Sequence, residues 1–445
     1  MKSLAKFISL CFLCLAFIFY AQGQEQDSMQ VYKKRVLENV EIDFLSSSYL
    51  QDGDNAAVTG GIGSENLLNG AGAITISIPL NSDDVLAIDA SVSAYTSASS
   101  SNINPFDGKK LADPYVASSG ASRQDVWSSY MVTYTHSSND RNEIWSAKTS
   151  FSAEFDYYSL GIGGSFTKLF NQKNTELSLN ANVFFDTWEL LYPVELRGPE
   201  SAGGDDDDDH PFNINSYTIT GNPNYTPSFT PFSSKARNSY SVGFAFSQIL
   251  SKKLQGSVVL DFVKQNGLLS TPFQRIYFSD VADSFIENFH LADDVERLPN
   301  SRLKIATGGR INYYINEYLV LRTFYRYYSD DWGINSHTAS LEIPIKFWNK
   351  YTIYPSYRYY NQTATYYFAP YNQHLISNKF YTSDYDLSGY YANQFSLGFT
   401  YTDIFSSSKI WKFGLKSFDI KFIHYYRNTS FRANILTASV KIILD

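Results

Sequence analysis

The last ten residues constrain the fold more than any other stretch. Leu436 to Asp445 alternates strictly, with Leu436, Ala438, Val440, Ile442 and Leu444 on one face and Thr437, Ser439 and Lys441 on the other. Period two over such a length defines a strand, and a tilted strand of about ten residues crosses a hydrocarbon layer. In lipid an unpaired backbone group is costly, so spanning strands must close on themselves. The unit, about ten alternating residues followed by a turn or loop, recurs along the chain. The expected fold is all-β: a transmembrane antiparallel up-and-down β-barrel of about 16 strands with long extracellular loops.

The amino terminus reads as an export signal. Lys2 and Lys6 precede the apolar run Phe7 to Tyr20, and Ala21-Gln22-Gly23 offers small residues for cleavage. The run is short for a membrane helix, and no charged stop-transfer segment follows it. Residues 1–23 are expected to be a signal peptide, 24–38 a short periplasmic lead and 39–445 the barrel. The expected location is the outer membrane of a Gram-negative type cell, with lipid and the barrel assembly machinery as partners. Cys11 and Cys14 are the only cysteines. Both lie in the leader, which closes thiol and disulfide chemistry in the rest of the chain.

Aromatics make up 17% of the residues, with 35 Tyr and 33 Phe, which suits the two interfacial girdles of a membrane barrel. The net charge of -8 comes with no basic patch, so nucleic acid is not expected as a partner.

Alternation places strands near Val40–Leu50, Gly70–Leu80, Val85–Tyr95, Val126–His136, Ile144–Tyr157, Ser159–Phe170, Thr175–Trp188 and Asn238–Leu250. The remaining eight are near Leu254–Lys264, Leu303–Ile315, Tyr318–Tyr328, Ser336–Phe347, Tyr351–Tyr360, Gln394–Phe405, Leu415–Arg427 and Phe431–Asp445. Short turns such as Asn316-Glu317 alternate with long segments such as Leu190–Ala236, Asn266–Asn300 and Asn361–Ala392. That asymmetry puts the turns in the periplasm and the loops outside, where together they could form a substantial cap.

Several segments resemble a family of outer-membrane proteins known as domain of unknown function 3570. They are Tyr49–Asn55 with Val58–Gly63, Gly267–Phe278, Leu298–Arg302, Tyr325–Tyr328 with Asp331–Ile334, and Phe380–Ser388. The resemblance spans most of the chain beyond Asp43. It implies an outer-membrane barrel and supplies no established activity, cofactor or catalytic residue.

Parity locates the charge. Leu319, Leu321, Thr323, Tyr325 and Tyr327 share a face, so Arg322 and Arg326 share the other. A charge facing lipid at the midplane costs about 2–4 kcal/mol, so these arginines should point into the lumen. The same reasoning turns Lys304, Arg310, Glu342, Lys346, Arg358, Asp419, Lys421 and Arg427 inward. In the first half it turns Glu41, Asp43, Asp89, Lys148, Glu154, Asp156, Glu176, Asp186 and Asp261 inward. Acids crowd the first half and bases the second, which predicts an acidic wall facing a basic one and a field that orients dipolar solutes. Such charges could equally pair and only brace the wall.

Metal and catalytic signals are weak. Asp52-Gly53-Asp54-Asn55 opens like a calcium loop but reaches Gly63, not an acid, at the twelfth position, and reads better as a turn. Asp205, Asp207 and Asp209, beside His210, could hold a divalent cation but read more simply as a solvated acidic run. The six histidines are scattered and no nucleophile motif appears. His337 and His424 fall on outward faces, so a membrane hydrolase stands only as a remote reading. Two functions remain: a porin-like conduit for small polar solutes without a cofactor, or an outer-membrane complex subunit or receptor that binds a protein partner through its loops.

Overall fold

The computed structural model describes residues 34–96, 124–154, 156–196, 214, 217–403 and 408–444. The Asp205–Asp209 run, residues 1–33, which include the whole of the expected signal peptide, and the loop following Thr96 lie outside the described residues.

Among the described residues sixteen long strands form one sheet. They are β1 (Val40–Asp52), β2 (Leu67–Pro79), β3 (Asp84–Thr96), β4 (Gln124–Ser137), β5 (Glu143–Ala153), β6 (Tyr157–Phe170), β7 (Thr175–Trp188) and β8 (Ala236–Ser251). The second half comprises β9 (Leu254–Gly267), β10 (Ser301–Asn316), β11 (Leu319–Asp330), β12 (Asn335–Glu342), β13 (Tyr351–Gln362), β14 (Tyr390–Thr402), β15 (Phe413–Arg427) and β16 (Arg432–Leu444). Each pairs antiparallel with its sequence neighbours, and β1 pairs with β16 from Val40↔Leu444 to Asp52↔Arg432. The sheet therefore has no free edge, and every ladder hydrogen bond is made within the wall.

Several boundaries differ from the alternation; the strand expected over Gln394–Phe405 runs from Tyr390 to Thr402. The strand expected over Ile144–Tyr157 ends at Ala153, and Tyr157 opens the next strand after a tight connection. The strand expected over Ser336–Phe347 is interrupted. Ile343-Pro344 breaks it after Glu342, and pairing with β13 resumes at Ile345–Phe347, because proline donates nothing to a ladder.

The outer face is apolar. Leu397, Ile162, Val258 and Phe395 stand 57%, 56%, 56% and 50% exposed on it. In water such a continuous belt would be unstable; against acyl chains it is covered. Rings frame its two ends. Near the short turns Phe347, Tyr351 and Phe399 pack together, and Trp348 and Trp411 project outward. Toward the long loops stand Tyr359 and Tyr391, with Tyr325 and Tyr357 near mid-strand. Asp331-Trp332-Gly333 follows the loop end of β11. Gly333, at φ 95°, closes the β11–β12 hairpin, and Trp332 is buried, with its indole N–H donating to Ser301 O.

The buried apolar side chains lie mostly in the long loops. Ile276, Tyr277, Phe278, Ile286, Phe289, Leu291 and Val295 are almost wholly buried. Short strands at Ile219–Gly221, Ser284–Ile286 and Phe289–His290 make a small sheet there. This is a folded cap with its own core.

Candidate functional site

Strand register sorts side chains to the inner face, the one opposite the apolar belt. One inner row runs Arg326, Thr338, Tyr360, Ala392, Arg427 across β11 to β15. The next row toward the short turns runs Arg310, Phe324, Ser340, Arg358, Gln394, Tyr425 across β10 to β15. Below that stand Asn312, Arg322, Glu342 and Ser356. Bulky and small residues alternate along the first of these rows, and a recess extends from it toward the cap. It measures about 290 Å³ and is lined among others by Arg326, Arg358, Ser336, Thr338 and Tyr360.

Some inner charges are paired. Arg322 Nη1 lies 2.9 Å from Glu342 Oε1. Asp186, 5% exposed, holds Arg237 Nε at 2.9 Å, and that guanidinium also covers Tyr157 and Trp188. Asp330 grips Arg302 at 2.5 Å and accepts the Tyr328 hydroxyl at 2.7 Å. Asp419 accepts from Tyr354 and Thr400. Arg427 reaches Asp386 of the cap at 2.5 Å.

Others are not. Among the described residues no ion pair joins Lys304, Arg310, Arg326, Lys346 or Arg358 to a carboxylate, and all but Lys304 are exposed. Lys304 is registered opposite Asp330, and Arg310 lies 5.7 Å from the Phe324 ring. Asp89 accepts from Thr75 at 2.5 Å. It shares a second inner recess of about 350 Å³ with Lys148, Trp127 and Asn182. Asp261 sits across from Gly243, close to Asn180. Glu154 and Asp156 are at the loop end of β5 and β6; burial, then the neighbouring Asp156 charge, pushes Glu154 up to about 7.

The expected opposition of an acidic and a basic wall does not hold at the seam. Closure places β1 beside β16, so Glu41 pairs with Lys416 and Lys441, and Asp43 with Lys441 at 3.1 Å. The linear order of charge had ignored that the first and last strands become neighbours. A surplus of unpaired cations does persist on β10, β11 and β13.

The cap is held by buried polar contacts. Arg275, fully buried, presents Nε and Nη2 to the two carboxylate oxygens of Glu195 at 2.6 and 3.1 Å, and Nη1 donates to Val58 O at 3.3 Å. Arg275 belongs to the β9–β10 loop and Val58 to the β1–β2 loop. In a ring of sixteen those hairpins are eight strands apart, so loops from opposite walls meet over the mouth. Gly60 (φ 77°) and Gly61 (φ 88°) permit the meeting. A Cβ on Gly60 would stand 2.8 Å from the Tyr277 ring, and one on Gly61 2.6 Å from Ser383 O. Glu296 is buried at the junction with the β13–β14 loop, accepting from Thr271 N at 2.8 Å and Thr382 Oγ1 at 2.5 Å. Burial, then the nearby Asp384 carboxylate, pushes Glu296 up to about 8.

The sequence reading missed Arg237, Arg302, Asp330 and Asp386. Arg302 and Asp330 fell just beyond strand ends drawn two residues short, and parity extended that far would have found them. No local signal marks Asp386, whose partner lies 41 residues away. Among the histidines, His337 Nδ1 lies 2.7 Å from Tyr325 OH and His424 Nδ1 2.8 Å from Asn434 Oδ1. Among the described residues neither hydrogen-bonds a serine hydroxyl.

The model of the family described as "Protein of unknown function (DUF3570)" matches residues 10–428, and the chain belongs to that family. No curated protein matches. Among solved structures, a bacterial polysaccharide outer membrane secretin superposes with a TM-score of 0.45 at 9% identity, covering 94% of this chain and 100% of that one. OccK1 (OpdK) of Pseudomonas aeruginosa gives 0.36 at 8% identity, with 91% and 99% covered. A TodX monoaromatic hydrocarbon channel mutant gives 0.41 at 9%, with 92% and 91% covered.

Proposed function

We propose that this protein is a porin-like outer-membrane conduit for small polar solutes, with its short turns in the periplasm and its capped end outside. The observation that carries the reading is the state of Arg310, Arg326 and Arg358: inner-face, exposed, and without a carboxylate partner among the described residues. A desolvated, unpaired charge costs several kcal/mol or more, so such residues need water around them. A wall that only braced itself would pair them, as Arg322 and Glu342 do. The reading assigns no catalytic residue and no cofactor. Single-channel recording in planar bilayers tests it: discrete conductance steps are expected from the pure full-length chain, and a silent bilayer with folded protein inserted overturns it.

A second reading has its own support. The cap joins opposite walls through a buried arginine that is ion-paired to Glu195 and donates to Val58 O, a more elaborate lid than free diffusion requires. An outer-membrane complex subunit or receptor would use such a lid to hold a protein partner. Purification in mild detergent separates the two readings, since recovery of the barrel alone counts against a stable complex.

A further inference from the structure

Two arginines in the recess beneath the cap form no ion pair with a carboxylate among the described residues. Arg326 and Arg358 lie one inner row apart on β11 and β13, either side of β12. Alternate strands are about 10 Å apart, within reach of two converging arginine side chains. Small side chains, Ser336, Thr338 and Ala392, form the wall between and beside them, which keeps the space open. The nearby acids are committed. Asp386, which lines the recess, is bound to Arg427, and Asp330 is held by Arg302 and the Tyr328 hydroxyl. Arg302 itself is fixed 4.3 Å over the Trp332 ring. Gln362 is likewise occupied, donating to the backbone oxygens of Asp386 and Ser388. With both ion pairs neutral, the recess carries two surplus positive charges that repel one another.

We propose that this recess binds the oxyanion of a small solute, a carboxylate or phosphate group held between the Arg326 and Arg358 guanidinium groups. Guanidinium presents a planar fork that matches such oxygens two at a time. One anion offsets both charges and the repulsion between them. Thr338 and Ser336 line the same recess and bring hydroxyl groups to it. The volume of about 290 Å³ lies at the small end of ligand pockets, which suits a solute of a few carbons. The inference rests on the conduit reading only in requiring that solutes reach the interior.

The test is equilibrium binding of succinate and of inorganic phosphate to the full-length protein in detergent, with glycerol as the neutral control. Saturable binding of at least one anion is expected, weakening as potassium chloride rises, with none for glycerol. The double variant Arg326→Gln, Arg358→Gln should bind at least about tenfold more weakly, given the strength of charge-assisted hydrogen bonds. The double Arg→Lys variant keeps the charge and loses the fork, and should fall between them if the contact is bidentate. Absence of saturable binding to the native protein, or binding unchanged in both double variants, overturns the proposal. Binding without conductance would sink the conduit and leave this site standing. Conductance with no binding would do the reverse.

Discussion

Arg275 and Arg326 are the same residue in opposite circumstances. Arg275 in the cap is fully buried, clasped by Glu195 and closed over by the Phe289 ring. Arg326 on the wall is exposed, with no ion pair to a carboxylate among the described residues. A guanidinium tolerates the first environment only with a partner and the second only with water. The difference teaches that the two halves of the interior are built by different rules. The cap is a dry, paired, self-folded module; the wall below it is wet.

The sharpest way to break that contrast is Glu195→Gln. It leaves Arg275 buried without compensation, at a cost of about 3–5 kcal/mol. Protease should then cut the β7–β8 and β9–β10 loops while the barrel keeps its folded mobility on gels; undiminished protection would contradict a dry cap. Next comes the outer belt. Leu397→Arg puts a charge among acyl chains and should destabilise the inserted barrel by about 2–4 kcal/mol, read from urea unfolding in bilayers. Unchanged stability would mean that this face does not meet lipid.

The cap should also respond to pH. Glu296, raised to about 8 by burial and the Asp384 charge, holds its proton in the folded cap where the unfolded chain has lost it. The folded state therefore binds more protons between the ordinary glutamate range and about 8, and stability falls as pH rises through that window. Hydrogen exchange in the cap should be slower at pH 5 than at pH 9 after correction for intrinsic rates, and Glu296→Gln should flatten the dependence. The smallest effect belongs to the wall. Arg322→Gln breaks a half-exposed pair, worth about 0.2–1 kcal/mol; a much larger loss would show that the wall at this height is dry.

Strand positions were legible because both faces of this wall have fixed solvents, and period two survives wherever that is so. Thr175–Trp188 falls on the alternation to the residue, whereas β12 does not, because Ile343-Pro344 interrupts the ladder without interrupting the apolar pattern. Inner-face parity could be read one strand at a time, but its pairings could not. Glu41 meets Lys441 through closure of the ring, a relation invisible to any window of sequence. The cap lay further out of reach still. Its contacts, such as Arg275 with Glu195 and Arg427 with Asp386, join residues tens of positions apart. The resembling segments Val58–Gly63, Gly267–Phe278 and Phe380–Ser388 looked like unrelated loop text, yet they converge where Gly60 meets Tyr277 and Gly61 meets Ser383.

A wet, cation-bearing inner wall behind an apolar outer one is tested most directly by single-cysteine labelling. Cys11 and Cys14 are first replaced by serine, and then Arg358→Cys and Leu397→Cys are made separately and reconstituted in lipid vesicles. A charged, water-soluble thiol reagent should modify the Arg358→Cys chain rapidly and leave the Leu397→Cys chain unmodified. Protection of the first with labelling of the second would contradict the account.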